Sequence, residues 1–264
     1  GCTFLRRAAL LGAAAAALAL AACGRSGAPP AAPRFPGAPV VLVTIDTLRA
    51  DRLPMYGYGK VETPALDAFR KDSVLFEQAY AHVPLTLPSH ASIFTGLEPG
   101  MHGVLDNSGY RLPAADPTLA ELLKAKGYAT GGAVSAAVLA SKSGIARGFD
   151  FWEEKVEAKG PVSMLDFVER PGGETARLLL DWLRPHAAEK LLAFLHVYEP
   201  HAPYAPPEPF RSRYADRYDG EVAAADAVVG AFLEELKRLG VYDRAIVVLL
   251  SDHGEGSATT ASSS

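Results

Sequence analysis

Two uninterrupted apolar runs, VVLVTI at 40–45 and AIVVLL at 245–250, constrain the fold of this chain more than any other feature. A strand buried on one face alternates apolar and polar residues. A continuous β-branched run belongs instead to a strand covered on both faces, as in a parallel sheet between layers of helices. Helical signals between the runs agree. Thr63 and Pro64 open a helix carrying Leu66 and Phe69; Pro117 and Thr118 open another, with Glu121 completing a capping box and Gly127 as its stop. Further expectations are a strand at 129–134, a helix at 174–183, a strand over LLAFLHVY at 191–198 and an amphipathic helix at 222–239. Glu221 and Asp226 are assigned to the solvent face of that last helix. Such alternation predicts a doubly wound α/β domain, its sheet mostly parallel with helices on both faces. At 264 residues and 49% hydrophobic, the chain has enough material for that core.

The N-terminus follows another logic. Arg6 and Arg7 precede an Ala/Leu/Gly run, Ala8 to Ala22, shorter than the roughly 20 residues of a membrane span and suited to a signal peptide. The run ends in LAAC, which resembles the lipobox of bacterial lipoproteins, so cleavage behind Ala22 would leave Cys23 as the lipidated first residue. The expected organisation is a signal peptide at 1–22, a Pro/Gly/Ala-rich tether at 23–39, the domain at 40–256 and a low-complexity tail at 257–264. The expected location is that of an exported bacterial lipoprotein, anchored to a membrane through Cys23 on the periplasmic or extracellular face. The two cysteines, Cys2 and Cys23, both lie in the leader, which leaves no disulfide for the domain. A net charge of −4 and no basic run argue against nucleic acid as a partner.

In open α/β sheets, ligands bind beyond the carboxyl ends of the strands. Asp46 follows the first apolar run directly, and Asp252 and His253 follow the second. Each Asp alone suits a helix cap or a turn as well; together the three make an oxygen-and-nitrogen site for Zn²⁺ or Mn²⁺. Thr86, in PLTLPSHASIFTG at 84–96, stands where a helix begins. It is either an ordinary cap or a hydroxyl placed against the positive end of a helix, where an anion is favoured. His82, His102 and His196 suit structural roles better than ligation. Lys142 suits a solvated charge.

The motifs VVLVTIDTLRADRL, PLTLPSHASIFTG, MHGVLDN, RGFDFW, YEPHAPYAPPEPF and LLSDHGE resemble, in order and spacing, the sulfatase branch of the alkaline phosphatase superfamily, over residues 40 to 256. The resemblance implies an alkaline-phosphatase-like fold whose C-terminal part is missing here. It also implies a metal-dependent hydrolase or transferase of sulfate or phosphate esters. Asp46, Asp252, His253 and Thr86 would hold a divalent metal ion (Zn, Mn, Ca or Mg), and Thr86 would be the nucleophile. Asn107 would steady the non-bridging oxygens, and His201 would serve the leaving group. The substrate would be a small-molecule, glycan or lipid ester. Three positions depart from the sulfatase pattern. Thr86 replaces the Cys or Ser that becomes formylglycine, His90 stands where the motif has Arg, and Thr47 replaces a second carboxylate. Threonine cannot yield that aldehyde, and a set of Asp, Thr, Asp and His resembles relatives that attack phosphorus directly. The competing expectation is a catalytically silent lipoprotein that binds an anion or a glycan.

Overall fold

The computed structural model of the chain describes residues 34–156 and 169–256. Two units are distinguished. Only residues 34–36 of Gly1–Pro36 are described, and Gly37–Ser264 carries the fold. The signal peptide, Cys23, most of the tether and the tail therefore lie outside the described residues. Among the described residues no helix is long and apolar enough to cross a membrane.

The core is a five-stranded sheet of β1 (Val40–Ile45), β2 (Ala129–Ala133), β3 (Phe151–Glu153), β4 (Leu191–Val197) and β5 (Ile246–Ser251), in the order β3-β2-β4-β1-β5. Every pairing is parallel. Side-chain alternation along β1 divides the interior in two. Val41, Val43 and Ile45 face a core built with the helices Gly172–His186 and Arg217–Arg238. Leu42 faces a second core with Leu87, Ala91 and Phe94 of the helix Thr86–Thr95 and with Phe194 of β4. Thr44 and Asp46, at the same parity as Leu42, are thereby directed to the Thr86–Thr95 side. β2 is mostly small residues for a steric reason: a Cβ on Gly131 would run into the Trp182 ring, and one on Gly132 into that of Trp152.

Several expectations stand nearly residue for residue. Thr118 caps the helix Leu119–Lys124 in a capping box with Glu121, and Gly127 follows at φ 77°. β3, which begins in the last two residues of RGFDFW, is a strand that periodicity did not single out.

Two expectations are corrected. β5 is not buried throughout: Ile246 and Val248 are 38% and 41% exposed, because the strand pairs with β1 alone among the described residues. Glu221 and Asp226 do not face solvent; they are 5% and 2% exposed. Asp226 accepts the N–H groups of Ala65 (3.2 Å) and Leu66 (2.8 Å), capping the helix Pro64–Lys71, whose own Thr63 makes no cap bond. Glu221 accepts the N–H of Ala205 at 2.8 Å. Both carboxylates satisfy backbone donors of neighbouring segments, a need that the periodicity of their own helix does not reveal.

Candidate active site

The register sets the site. Ile45 of β1 lies opposite Ser251 of β5, so Asp46 and Asp252 emerge side by side at the carboxyl ends of adjacent parallel strands. Ligand atoms of Asp46, Asp252 and His253 all fall within 4.8 Å of one another. Each side chain is aimed by its neighbours. Asp252 Oδ1 accepts the N–H of Thr47 (3.2 Å) and of His253 (2.7 Å), leaving Oδ2 for the interior of the cluster. Thr47 makes this possible at φ 54°, an unusual conformation for a β-branched residue, held by the Tyr218 hydroxyl on its carbonyl (2.7 Å). His253 Nδ1 is 2.8 Å from the Gly254 carbonyl, which can only accept, so Nδ1 carries a proton and in the neutral ring Nε2 keeps its lone pair. That lone pair lies 3.7 Å from Asp46 and 3.6 Å from Asp252.

Both oxygens of Asp46 and Oδ2 of Asp252 are buried with no hydrogen-bond partner among the described residues. Burial pushes the Asp46 carboxyl up to about 6 and raises that of Asp252, on which the Asp46 charge also acts. Buried, unpartnered carboxylates are costly unless a cation completes them. The donor set of two carboxylates, an imidazole with a directed lone pair and a nearby hydroxyl fits a divalent metal ion.

Thr86 supplies that hydroxyl. It is the first residue of its helix, one step past the N-cap Leu85, and its side chain caps nothing. Thr86 Oγ1 lies 3.4 Å from His253 Nε2 and is 4% exposed. The cap role left open by the sequence falls to Asn107, whose Oδ1 accepts the N–H of Leu87 at 2.9 Å. Asn107 is thereby held at the helix start beside Thr86. Ser89 donates to the Asp252 carbonyl at 2.6 Å and pins the same helix to the end of β5. His201 stacks on Tyr198 with centroids 4.5 Å apart and donates from Nδ1 to the Ala202 carbonyl at 2.6 Å. A positive charge on its ring would oppose the rise in the Asp46 pKa.

His82 is exposed, and His102 is fully buried and satisfied by Ser92 and Val104. Lys142 is exposed. His196, expected in a structural role, and His90, expected only as a departure from the motif's Arg, both stand beside the cluster. His196, opposite Thr44 on β4, places Nε2 3.4 Å from Asp46 Oδ2 while its Nδ1 accepts the Ser135 N–H at 3.3 Å. Only its position one residue inside a strand end, level with the end of β1, distinguished it in the sequence. His90, His196 and Asp252 form a second group of suitable ligand types. Yet both nitrogens of His90 are taken, by Thr86 and Thr44, and Nδ1 of His196 is an acceptor already used. Burial lowers both imidazoles to about 4, so each is neutral.

A family model described as Sulfatase matches residues 39–263. The chain is 26% identical over 261 residues to an ulvan-active sulfatase of Formosa agariphila, covering 82% of this chain and 50% of that protein. It is 28% identical over 260 residues to an N-acetylgalactosamine-6-sulfatase of Rattus norvegicus, covering 81% of this chain and 49% of that one. The chain thus spans about half the length of these relatives. Among solved structures, the phosphonate monoester hydrolase of Agrobacterium radiobacter superposes with a TM-score of 0.68 at 20% identity, covering 83% of this chain and 63% of that one. The fold is shared with it.

Proposed function

The chain belongs to the sulfatase family, and on that premise we propose that it hydrolyses an ester of a tetrahedral oxyanion, sulfuryl or phosphoryl, with Thr86 as an unmodified nucleophile. One observation carries this reading. The Thr86 hydroxyl stands at a helix N-terminus, 3.4 Å from His253 Nε2 and beside three buried carboxylate oxygens, both of Asp46 and Oδ2 of Asp252, that have no hydrogen-bond partner among the described residues.

Asp46, Asp252 and His253 would hold a divalent ion, together with Thr86 Oγ1. Such an ion lowers the pKa of a nearby hydroxyl and offsets negative charge on the ester oxygens. Thr86 gives its proton to solvent water and attacks sulfur or phosphorus in line with the leaving oxygen. The bond to that oxygen breaks, the leaving alcohol takes up a proton, and His201 is the side chain assigned to that transfer. The positive end of the Thr86–Thr95 helix and the Asn107 amide nitrogen are assigned to the non-bridging oxygens; the Leu87 and Ser89 N–H groups are already held by Asn107 and the Leu85 carbonyl, and Pro88 has none. Water then cleaves the Thr86 ester, releasing sulfate or phosphate and restoring the hydroxyl. The Thr47 found where the family motif has a carboxylate leaves one charge fewer to repel an anionic ester.

The test is turnover of aryl sulfate, aryl phosphate and aryl phosphodiester substrates alongside metal analysis, with mass spectrometry of the Thr86 peptide under slow turnover. An added sulfuryl or phosphoryl group on that peptide, and plain threonine before substrate, is the expected result. Turnover unchanged in Thr86→Ala would overturn the reading.

A further inference from the structure

His90, on the helix that begins with Thr86, is fully buried against the strand that leads to Asp46. Its Nδ1 lies 2.7 Å from the Thr86 carbonyl. A carbonyl only accepts, so Nδ1 carries the proton, and Nε2 must then receive the Thr44 hydroxyl at 3.0 Å. Thr44 is two residues before Asp46, on the same face of β1. The rings of Phe94, Phe194 and His196 stand edge-on at 6.4, 5.9 and 5.2 Å and fix the plane of the imidazole. Nδ1 is also 3.7 Å from Asp252 Oδ2, beyond hydrogen-bond length.

We propose that His90 is a positioning residue, an imidazole of fixed tautomer that ties the main chain of Thr86 to Thr44 and so sets the nucleophile against the two strand-end carboxylates. The inference rests on the assignment of Thr86 above. An ordinary core histidine also satisfies both nitrogens, but here each bond ends on a residue that places a reacting group. An arginine at 90, as in the sulfatase pattern, offers donors and no acceptor, and cannot receive the Thr44 hydroxyl. The pair of Thr44 and His90 is thus a matched replacement for a permanent cation.

The test uses the full chain in four variants: Thr44→Val, Thr44→Ser, His90→Asn and the double variant Thr44→Val/His90→Asn. Asn retains a donor for the Thr86 carbonyl and is too short to reach Thr44. Against an aryl ester, Thr44→Val is expected to lower kcat by about tenfold to a hundredfold, with KM within about threefold, as for a nucleophile held slightly out of place. Thr44→Ser should recover most of that loss. His90→Asn should match Thr44→Val, and the double variant should be no worse than either, because both remove one link. Calorimetric titration with Mn²⁺ should give the same stoichiometry for His90→Asn as for the parent, and ¹⁵N spectra should show the His90 proton on Nδ1. An unchanged kcat in Thr44→Val, loss of Mn²⁺ binding in His90→Asn, or a proton on Nε2 would each overturn the inference. Should the parent turn over none of the esters, the functional reading fails by itself, and the ring spectrum and its response to Thr44→Val still decide whether the link exists.

Discussion

Thr86 Oγ1 and His253 Nε2 meet at 3.4 Å across 167 residues of sequence. One is at the start of a helix and the other just past the end of β5, and no local preference would bring them together. Because the Thr86 side chain makes no cap bond, its removal exposes few broken interactions. Thr86→Ala is therefore expected to cut ester turnover by about three orders of magnitude or more, the scale for a lost nucleophile, while moving stability by less than about 1 kcal/mol. Thr86→Ser should keep measurable turnover. Thermal melting and initial rates on the same preparations check both halves.

The unpartnered oxygens of Asp46 and Asp252 lead to an opposite pairing of effects. In chelator, Asp46→Asn should melt at or above the parent, since it removes a buried carboxylate with no partner. With Mn²⁺ or Zn²⁺ added, the parent should gain stability with the logarithm of metal concentration, and the variant should gain little. Melting curves with and without metal decide it; a metal response equal in both proteins would remove Asp46 from the ligand set.

Much of this arrangement was legible in the sequence. Continuous apolar runs announced a parallel sheet, and polar residues directly behind them announced the cluster at its carboxyl end, because register and strand direction leave few other places for Asp46, Asp252 and His253. The exposure of β5 was not legible, since a continuous run does not say whether a strand is central or at an edge. Nor were the roles of Asp226, Glu221 and Asn107. Each accepts a backbone N–H from a segment distant in sequence, and pairing of that kind leaves no periodic trace. His90 and His196 were hidden for a related reason: a neutral, buried imidazole has the same sequence signature whether it fills a core or orients a site.

Asn107 separates a cap from a substrate contact. Its Oδ1 holds the Leu87 N–H, and only its amide nitrogen can donate to an anionic ester. Asn107→Ala should cost about 1 kcal/mol, the usual value of a lost cap, and lower turnover as well. Asn107→Asp keeps the acceptor at the helix start, so its stability should stay near that of the parent while turnover falls. Equal turnover in the parent and in Asn107→Asp would confine Asn107 to the cap.

The leader makes its own prediction. Acylation of Cys23 after cleavage behind Ala22 should carry the protein into the membrane fraction, with at least two chains, because one acyl chain holds only marginally. Cys23→Ala should abolish lipid labelling and release protein to the soluble fraction. Full membrane partition of that variant would refute the anchor.

Glu221 offers a test of the fold that is independent of the chemistry. The residue is 5% exposed, and burial pushes its carboxyl up to about 7 from an ordinary 4.5, although the Ala205 N–H favours the charged form. The sign follows from proton counts. Below pH 4.5 both folded and unfolded chains hold the proton, and nothing is lost. Between about 4.5 and 7 the unfolded chain has released it and the folded chain has not, so the native state binds more protons and stability falls as pH rises. Above about 7 the cost is constant, on the order of 3 kcal/mol from the size of the shift. Glu221→Gln keeps an oxygen for the Ala205 N–H and removes the titration. Urea unfolding of both proteins at pH 5 and pH 8 isolates the effect, since every other titrating group is common to the pair. The parent should lose more stability than the variant on going from pH 5 to 8, and the variant should be the more stable at pH 8. Equal losses in the two proteins would show that Glu221 is ionised at no cost, with solvent reaching the carboxylate.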